Sequence, residues 1–352
     1  MIRSNALPYR FTRCENSRMS GRVKFAASFV ALLLVLSILN TVEQSYASKT
    51  STQYAVGLTK HQLKVKGNTR TFLVYVPKRT KSPKSIVLVL HGGGGRGLEV
   101  ATPDAHPLSV FRKVADRERF VVVYPEGLPS NDLKKLTGWV DCRSDNLVSS
   151  GADDVAFLES LVRKLTREFR LKGSEVFMAG GSNGAQMTQA FAFHHPTLIG
   201  GIASGAGSLP LFPKDGKCSE GPTVGVPILL IHGTADSQMP YEGGCVANIG
   251  GSCNRGKVIS AVATRDRWLA INGLLDVTPV EEIVELATDD GGPARRYRYT
   301  GKKTVEWWQL EGAGHANPSL QVLIPSNRLM GIQNRDIEFA EIAWAFFSRI
   351  PR

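Results

Sequence analysis

The sequence predicts an α/β fold in which a mostly parallel central sheet is covered by helices on both faces. Three observations carry this expectation. Short, wholly apolar runs recur at 86–90, 120–124, 176–179 and 228–231, and each ends in a turn rich in glycine, proline or histidine. Helix-compatible stretches separate them, and continuous apolar strands alternating with helices imply a parallel sheet buried on both sides. The 352 residues are 42% hydrophobic and 21% charged, which excludes a disordered chain, and five cysteines are too few for a small disulfide scaffold.

The chain opens with a leader. Residues 25–39 form an apolar core preceded by Arg18, Arg22 and Lys24 and followed by the small–x–small pattern Ser45-Tyr46-Ala47. That is the pattern of a signal peptide over 1–47, and Met19 begins a second, complete version of it. The core is short for a spanning helix, which needs about 20 apolar residues. A secreted or periplasmic protein with no stable membrane insertion after cleavage is therefore expected. Cleavage removes six basic and two acidic residues, taking the formal charge from +12 to +8. Cys14 leaves with the leader, and Cys142, Cys218, Cys245 and Cys253 suit two disulfides with three possible pairings. Residues 48–61 read as a polar lead-in and 62–352 as one catalytic domain.

Within that domain, 62–66 and 70–76 flank Gly67-Asn68 as a hairpin. Asp153 or Asp154 can cap a helix whose Val155, Leu158, Leu161, Val162 and Leu165 keep a 3.6 period. Residues 304–310 form a late strand, 295–303 a hairpin-like basic stretch, and 336–347 a closing amphipathic helix with Phe339, Ala343, Trp344 and Phe347 on one side.

Chemistry concentrates where the apolar strands end. Residues 176–179 run into Gly180-Gly181-Ser182-Asn183-Gly184 and then a helical stretch. Glycine on either side of the serine lets the chain turn sharply and lift its hydroxyl clear of the sheet. A serine hydroxyl becomes nucleophilic when a histidine takes its proton and a carboxylate holds that histidine. Asp236 follows the strand at 228–231, in His232-Gly233-Thr234-Ala235-Asp236, and His315 follows the strand at 304–310, in Glu311-Gly312-Ala313-Gly314-His315. Ser182, Asp236 and His315 are therefore the expected triad. The backbone N–H of Asn183 and one from His91-Gly92-Gly93-Gly94-Gly95 can stabilise an oxyanion, with Gly93 favoured over Gly94. Gly92-x-Gly94-x-x-Gly97 also fits a dinucleotide fingerprint, but the acidic residue expected about 20 positions on is misplaced and the Ser, Asp and His loops would go unused. No cofactor is expected. No metal is expected either, since the histidines and cysteines lack zinc spacing.

With these residues in view, the chain resembles the polyhydroxybutyrate depolymerase and feruloyl esterase group of secreted α/β-hydrolases. The resemblance rests on the His91 glycine run, residues 152–158, the Ser182 turn, the Asp236 loop with Pro240-Tyr241, and Gly314-His315, and it runs from about 62 to 347. It implies an α/β-hydrolase fold and ester hydrolysis through an acyl-enzyme on Ser182, with His315 as general acid/base and Asp236 orienting it. The ester substrate would come from plant cell wall or polyester. Two departures bear on the acyl pocket: Ala316-Asn317-Pro318 stands where members often have an aromatic–proline pair after the histidine, and a late cysteine pair is missing. Trp139 is a candidate for stacking on substrate, with a core tryptophan as the rival reading. Two other functions are carried alongside: a catalytically silent fold that binds polymer, and a serine peptidase on the same triad. The basic clusters at 78–84 and 295–303 carry no nucleic-acid motif, so nucleic acid is not an expected partner.

Overall fold

The computed structural model describes residues 54–351, apart from 81, 131–135, 148, 248–251 and 328. The leader at 1–47, with Cys14 and Met19, lies outside the described residues. A ten-stranded sheet runs through the domain: β1 (Gly57–Val65), β2 (Asn68–Val76), β3 (Ile86–Leu90), β4 (Val121–Pro125), β5 (Val176–Gly181), β6 (Gly201–Gly205), β7 (Ile228–Gly233), β8 (Val280–Val284), β9 (Ala294–Tyr299) and β10 (Val305–Leu310). Their spatial order is β1-β2-β4-β3-β5-β6-β7-β10-β9-β8. The stretch from β4 to β10 is parallel, and antiparallel strands close both ends.

The apolar runs are continuous because the sheet is covered twice. In β3, Ile86, Leu88 and Leu90 enter one core while Val87 and Val89 enter the other. Successive side chains point to opposite faces, so a polar residue on either side would be buried. Helices α2 (Asp154–Phe169), α3 (Asn183–His194) and α4 (Ala261–Asn272) pack on the first face, and α1 (Phe111–Glu118) and α5 (Phe339–Ser348) on the second.

Several boundaries differ from expectation for identifiable reasons. β1 starts at Gly57, so 57–61 is strand rather than lead-in. Just before it, Tyr54 is buried, stacks on Phe169 at 5.3 Å and donates to Glu168 at 2.6 Å. The hairpin turns on Lys66 and Gly67, with φ of 46° and 82°, and Asn68 already belongs to β2. Successive positive φ values match the twist of a tight hairpin. Helix α5 begins at Phe339 rather than 336, because the Asp336 carboxylate is taken by the N–H groups of Leu286, Ala287 and Ala294.

Asp153 caps α2 by accepting from Ala156 N–H at 2.9 Å. Asp154 does something else. It pairs with Arg70 at 2.6 Å, both side chains almost fully buried, and its second oxygen accepts from Val140 N–H at 2.7 Å. Arg70 also sits 4.0 Å over the Phe157 ring. This ion pair ties the hairpin, α2 and the segment after Trp139 into one unit, and losing either partner would strand a buried charge at a cost of about 3–5 kcal/mol. Cys142 bonds to Cys218 and Cys245 to Cys253, which selects one of the three pairings.

Candidate active site

Ser182, Asp236 and His315 converge at the carboxyl ends of β5, β7 and β10. Ser182 stands at φ 55° and ψ −124°, between β5 and the first turn of α3. A non-glycine residue rarely adopts this strained conformation, and the surroundings must enforce it. Ser182 N–H donates to the Gly205 carbonyl at 2.8 Å, and α3 lies hard against β3. A Cβ on Gly184 would sit 2.5 Å from the carbonyl oxygens of Leu90 and His91, so only glycine permits that approach. The His315 loop is positioned in the same way. Gly314 N–H donates to Ile332 and His315 N–H to Met330, each at 2.7 Å, and a side chain on Gly314 would collide with the Met330 carbonyl.

The side chains form one hydrogen-bonded line. His315 Nε2 lies 2.8 Å from Ser182 Oγ, and His315 Nδ1 lies 2.8 Å from Asp236 Oδ2. Asp236 Oδ1 accepts from the N–H groups of Gln238 and Met239 at 2.8 and 2.9 Å, which fixes the carboxylate. Burial alone would raise the Asp236 pKa. The facing His315 charge and hydrogen bonds from His232 and His315 outweigh it and hold the carboxyl well below its usual range. A hydroxyl so placed can give its proton to the imidazole as it attacks a carbonyl, while a fixed carboxylate supports the imidazolium that forms.

The glycine loop after β3 lies beside Ser182, with Gly93 next to Asn183. Gly94 N–H donates to the Thr137 carbonyl at 2.7 Å, and Gly95 N–H to Gly92 at 3.1 Å. Gly94 is therefore committed elsewhere, and Gly93 keeps its place as the loop's candidate donor. Asn183 opens α3, where backbone N–H groups have no helical partner. Its side chain clamps the facing segment, accepting from Trp139 N–H at 2.7 Å and donating to Asp141 at 2.7 Å.

Trp139 is 2% exposed, and its indole N–H donates to the His91 carbonyl at 2.9 Å, with the two rings 4.9 Å apart. It closes the floor of the cleft and holds the glycine loop, so the core reading describes it better than a stacking platform. His91 is fully buried. Its Nδ1 donates to the Gly92 carbonyl at 2.7 Å and its Nε2 accepts from Gly127 N–H at 3.0 Å.

That arrangement requires neutral imidazole, and burial lowers the His91 pKa from 6.5 to about 4. A buried histidine with a depressed pKa stabilises the fold fully above pH 6.5 and loses that contribution as pH falls toward 4, because the unfolded chain binds the proton first. The contribution amounts to about 3 kcal/mol. Unfolding free energy measured in guanidinium should drop between pH 7.5 and pH 4, and by less in His91→Gln. An equal drop in both proteins would remove His91 from the account.

The cleft around Ser182 has a volume of about 480 Å³. Besides Ser182 and His315, Leu136, Ala316, Ile324 and Met330 line it, and so do Arg143 and Arg255. The two arginines were missed in the sequence, where the basic residues singled out were those at 78–84 and 295–303. The named clusters do lie elsewhere, with Arg295 paired to Glu311 and Arg296 to Glu282 and Glu306. Cys253, two residues before Arg255, was the available signal, but its partner was open.

Comparison with known proteins gives the family. The family model described as esterase PHB depolymerase matches residues 72–283, more than half of the chain. The chain belongs to that family. Within it, the match takes in Ser182 and Asp236 and ends before His315. An acetylxylan esterase of Coprinopsis cinerea is 27% identical over 165 residues, covering 45% of this chain and 42% of that one. Feruloyl esterase B of Talaromyces funiculosus is 21% identical over 258 residues, covering 65% and 67%. The chain spans about half the length of the first curated relatives it matches. Among solved structures, an acetyl xylan esterase from Aspergillus awamori superposes with a TM-score of 0.54 at 17% identity, covering 73% of this chain and 94% of that one, which supports the shared α/β-hydrolase fold. No helix among the described residues is long and apolar enough to cross a membrane.

Proposed function

We propose that the protein is an exported serine esterase that hydrolyses carboxylic esters through an acyl-enzyme on Ser182. The observation that carries this reading is the line of 2.8 Å contacts from Ser182 through His315 to Asp236, opening on one cleft. Ser182 Oγ adds to the ester carbonyl as its proton passes to His315 Nε2. The N–H groups of Gly93 and Asn183 receive the oxyanion, each donor worth about 3–4 kcal/mol of barrier. Collapse expels the alcohol, which takes the proton from His315. Water then adds to the acyl carbon by the same route and releases the acid and free Ser182.

The cleft supports an acyl group larger than acetyl. Ala316 leaves room where the resembling group often places an aromatic residue, and Leu136, Ile324 and Met330 supply apolar wall. Feruloyl esters of polysaccharide and hydroxybutyrate oligomers both fit that description. The two disulfides and the leader pattern support export.

A serine-directed phosphonate should label Ser182 and nothing else, and labelling should vanish in His315→Ala. A silent binding fold predicts no label at Ser182 in the wild type. Methyl ferulate, short acyl esters, hydroxybutyrate oligomers and peptides, run as one panel, then separate the ester classes from peptide cleavage.

A further inference from the structure

The cleft holds a cation that the ester chemistry does not use. Arg143 is accounted for: its guanidinium meets Asp141 at 2.6, 3.0 and 3.2 Å, with both side chains almost fully buried. Arg255 has no carboxylate partner among the described residues, and it is only partly exposed. Burial, and then the neighbouring Arg143 charge, both disfavour its charged form. An arginine stays protonated regardless, so a cation stands in the cleft wall beside a second one without its own counter-ion.

Its position is built rather than incidental. The Cys245–Cys253 bond closes the loop that ends two residues before it, and Gly244–Cys245 pairs antiparallel with Lys257–Val258. Val246 N–H donates to Gly256 and Leu147 N–H to Asn254, both at 2.9 Å, and Lys257 N–H donates to Asp145 at 3.0 Å. Arg143 donates to the Arg255 carbonyl itself. The backbone that carries Arg255 is therefore fixed beside the cleft. Glu99 also lines the cleft, beside Gly95. A planar guanidinium presents parallel donors that match a carboxylate.

We propose that Arg255 recognises a carboxylate carried by the ester substrate, selecting anionic esters over neutral ones. This rests on the esterase reading above. Two sources share that chemistry: the free acid end of a hydroxyacid oligomer, and a uronic acid beside the ester on a polysaccharide. Two matched pairs distinguish them. One is a hydroxybutyrate trimer acid with its methyl ester. The other is an acylated oligosaccharide bearing glucuronate with its neutral counterpart.

Wild-type kcat/KM should favour the anionic member of one pair by about tenfold, mainly through KM, because the contact binds ground and transition states alike. The preference should shrink with added salt, fall close to one in Arg255→Gln and survive in part in Arg255→Lys. Neutral esters turned over with no preference in either pair, or a preference kept in Arg255→Gln, would overturn the assignment. Calorimetry on Ser182→Ala with the same pairs reads recognition without turnover. Absence of any hydrolysis by the wild type then counts against the esterase reading, while equal binding of acid and ester counts against Arg255.

Discussion

Ser182→Ala and His315→Ala should each lower kcat for a short chromogenic ester by about a million-fold, and the double variant should be no worse than either alone. Residues that act as one relay lose their effect together, as triads in other hydrolases do. Asp236→Asn should cost less, about ten-thousand-fold. The reason lies in how Asp236 is held. Its Oδ1 is pinned by the N–H groups of Gln238 and Met239, so an asparagine keeps its carbonyl oxygen there and turns its NH2 toward His315. The histidine then meets a donor at Nδ1, must accept there, and carries its proton on Nε2, the atom that faces Ser182. Active-site titration with the phosphonate separates this from unfolding: Asp236→Asn should label slowly but to completion. Normal turnover by that variant would refute the tautomer argument.

Replacing Cys142 and Cys218 together by serine should destabilise the protein by about 4–5 kcal/mol, the loop-entropy value for the 76-residue separation of that bond. The bond joins the segment after Trp139 to the short helix Gly216–Glu220, on the face where α2 and α3 pack. Freeing it also loosens the segment whose Thr137 and Trp139 hold the glycine loop. Activity should therefore fall at temperatures where the far-ultraviolet circular dichroism is still native. For Cys245–Cys253, separated by eight residues, the same relation gives about 2.6 kcal/mol. Denaturant melts of the two double variants, read by circular dichroism and by activity, test the ordering. A smaller loss from the long loop than from the short one would show that strain, not chain entropy, dominates.

The aligned Ser182, His315 and Asp236 were legible because the chemistry proposed for them needs particular side chains at particular places. A nucleophile, a base and an acid must each stand beyond a buried strand, and Ser182, Asp236 and His315 are flanked by glycines that mark such turns. The sheet was legible because burial on both faces leaves β3 wholly apolar and admits only Tyr124 and His232, near the carboxyl ends of β4 and β7. What escaped was set by contacts distant in sequence. Gly93 is favoured over Gly94 in the sequence without a residue-level reason, and the bond from Gly94 N–H to Thr137 supplies one. Trp139 belongs to the floor because its indole finds His91, a partner 48 residues away. Asp336 reads as helical by pattern, yet backbone groups about 40 to 50 residues earlier claim its carboxylate. Arg255 reaches the cleft beside a disulfide whose pairing the spacing leaves open.

The triad is also scattered along the chain: Ser182 lies 133 residues from His315, and Asp236 lies 79 from it. β5 can pair with β3 and β6 from residues made early, but the histidine arrives only when β10 docks beside β7. Such long-range pairings form late, after loop-closure entropy has been overcome. Recovery of hydrolysis during refolding therefore times the last strand insertion, not collapse. On the ribosome, a nascent chain that has passed Gly205 but stops short of 315 carries Ser182 without the histidine that would take its proton.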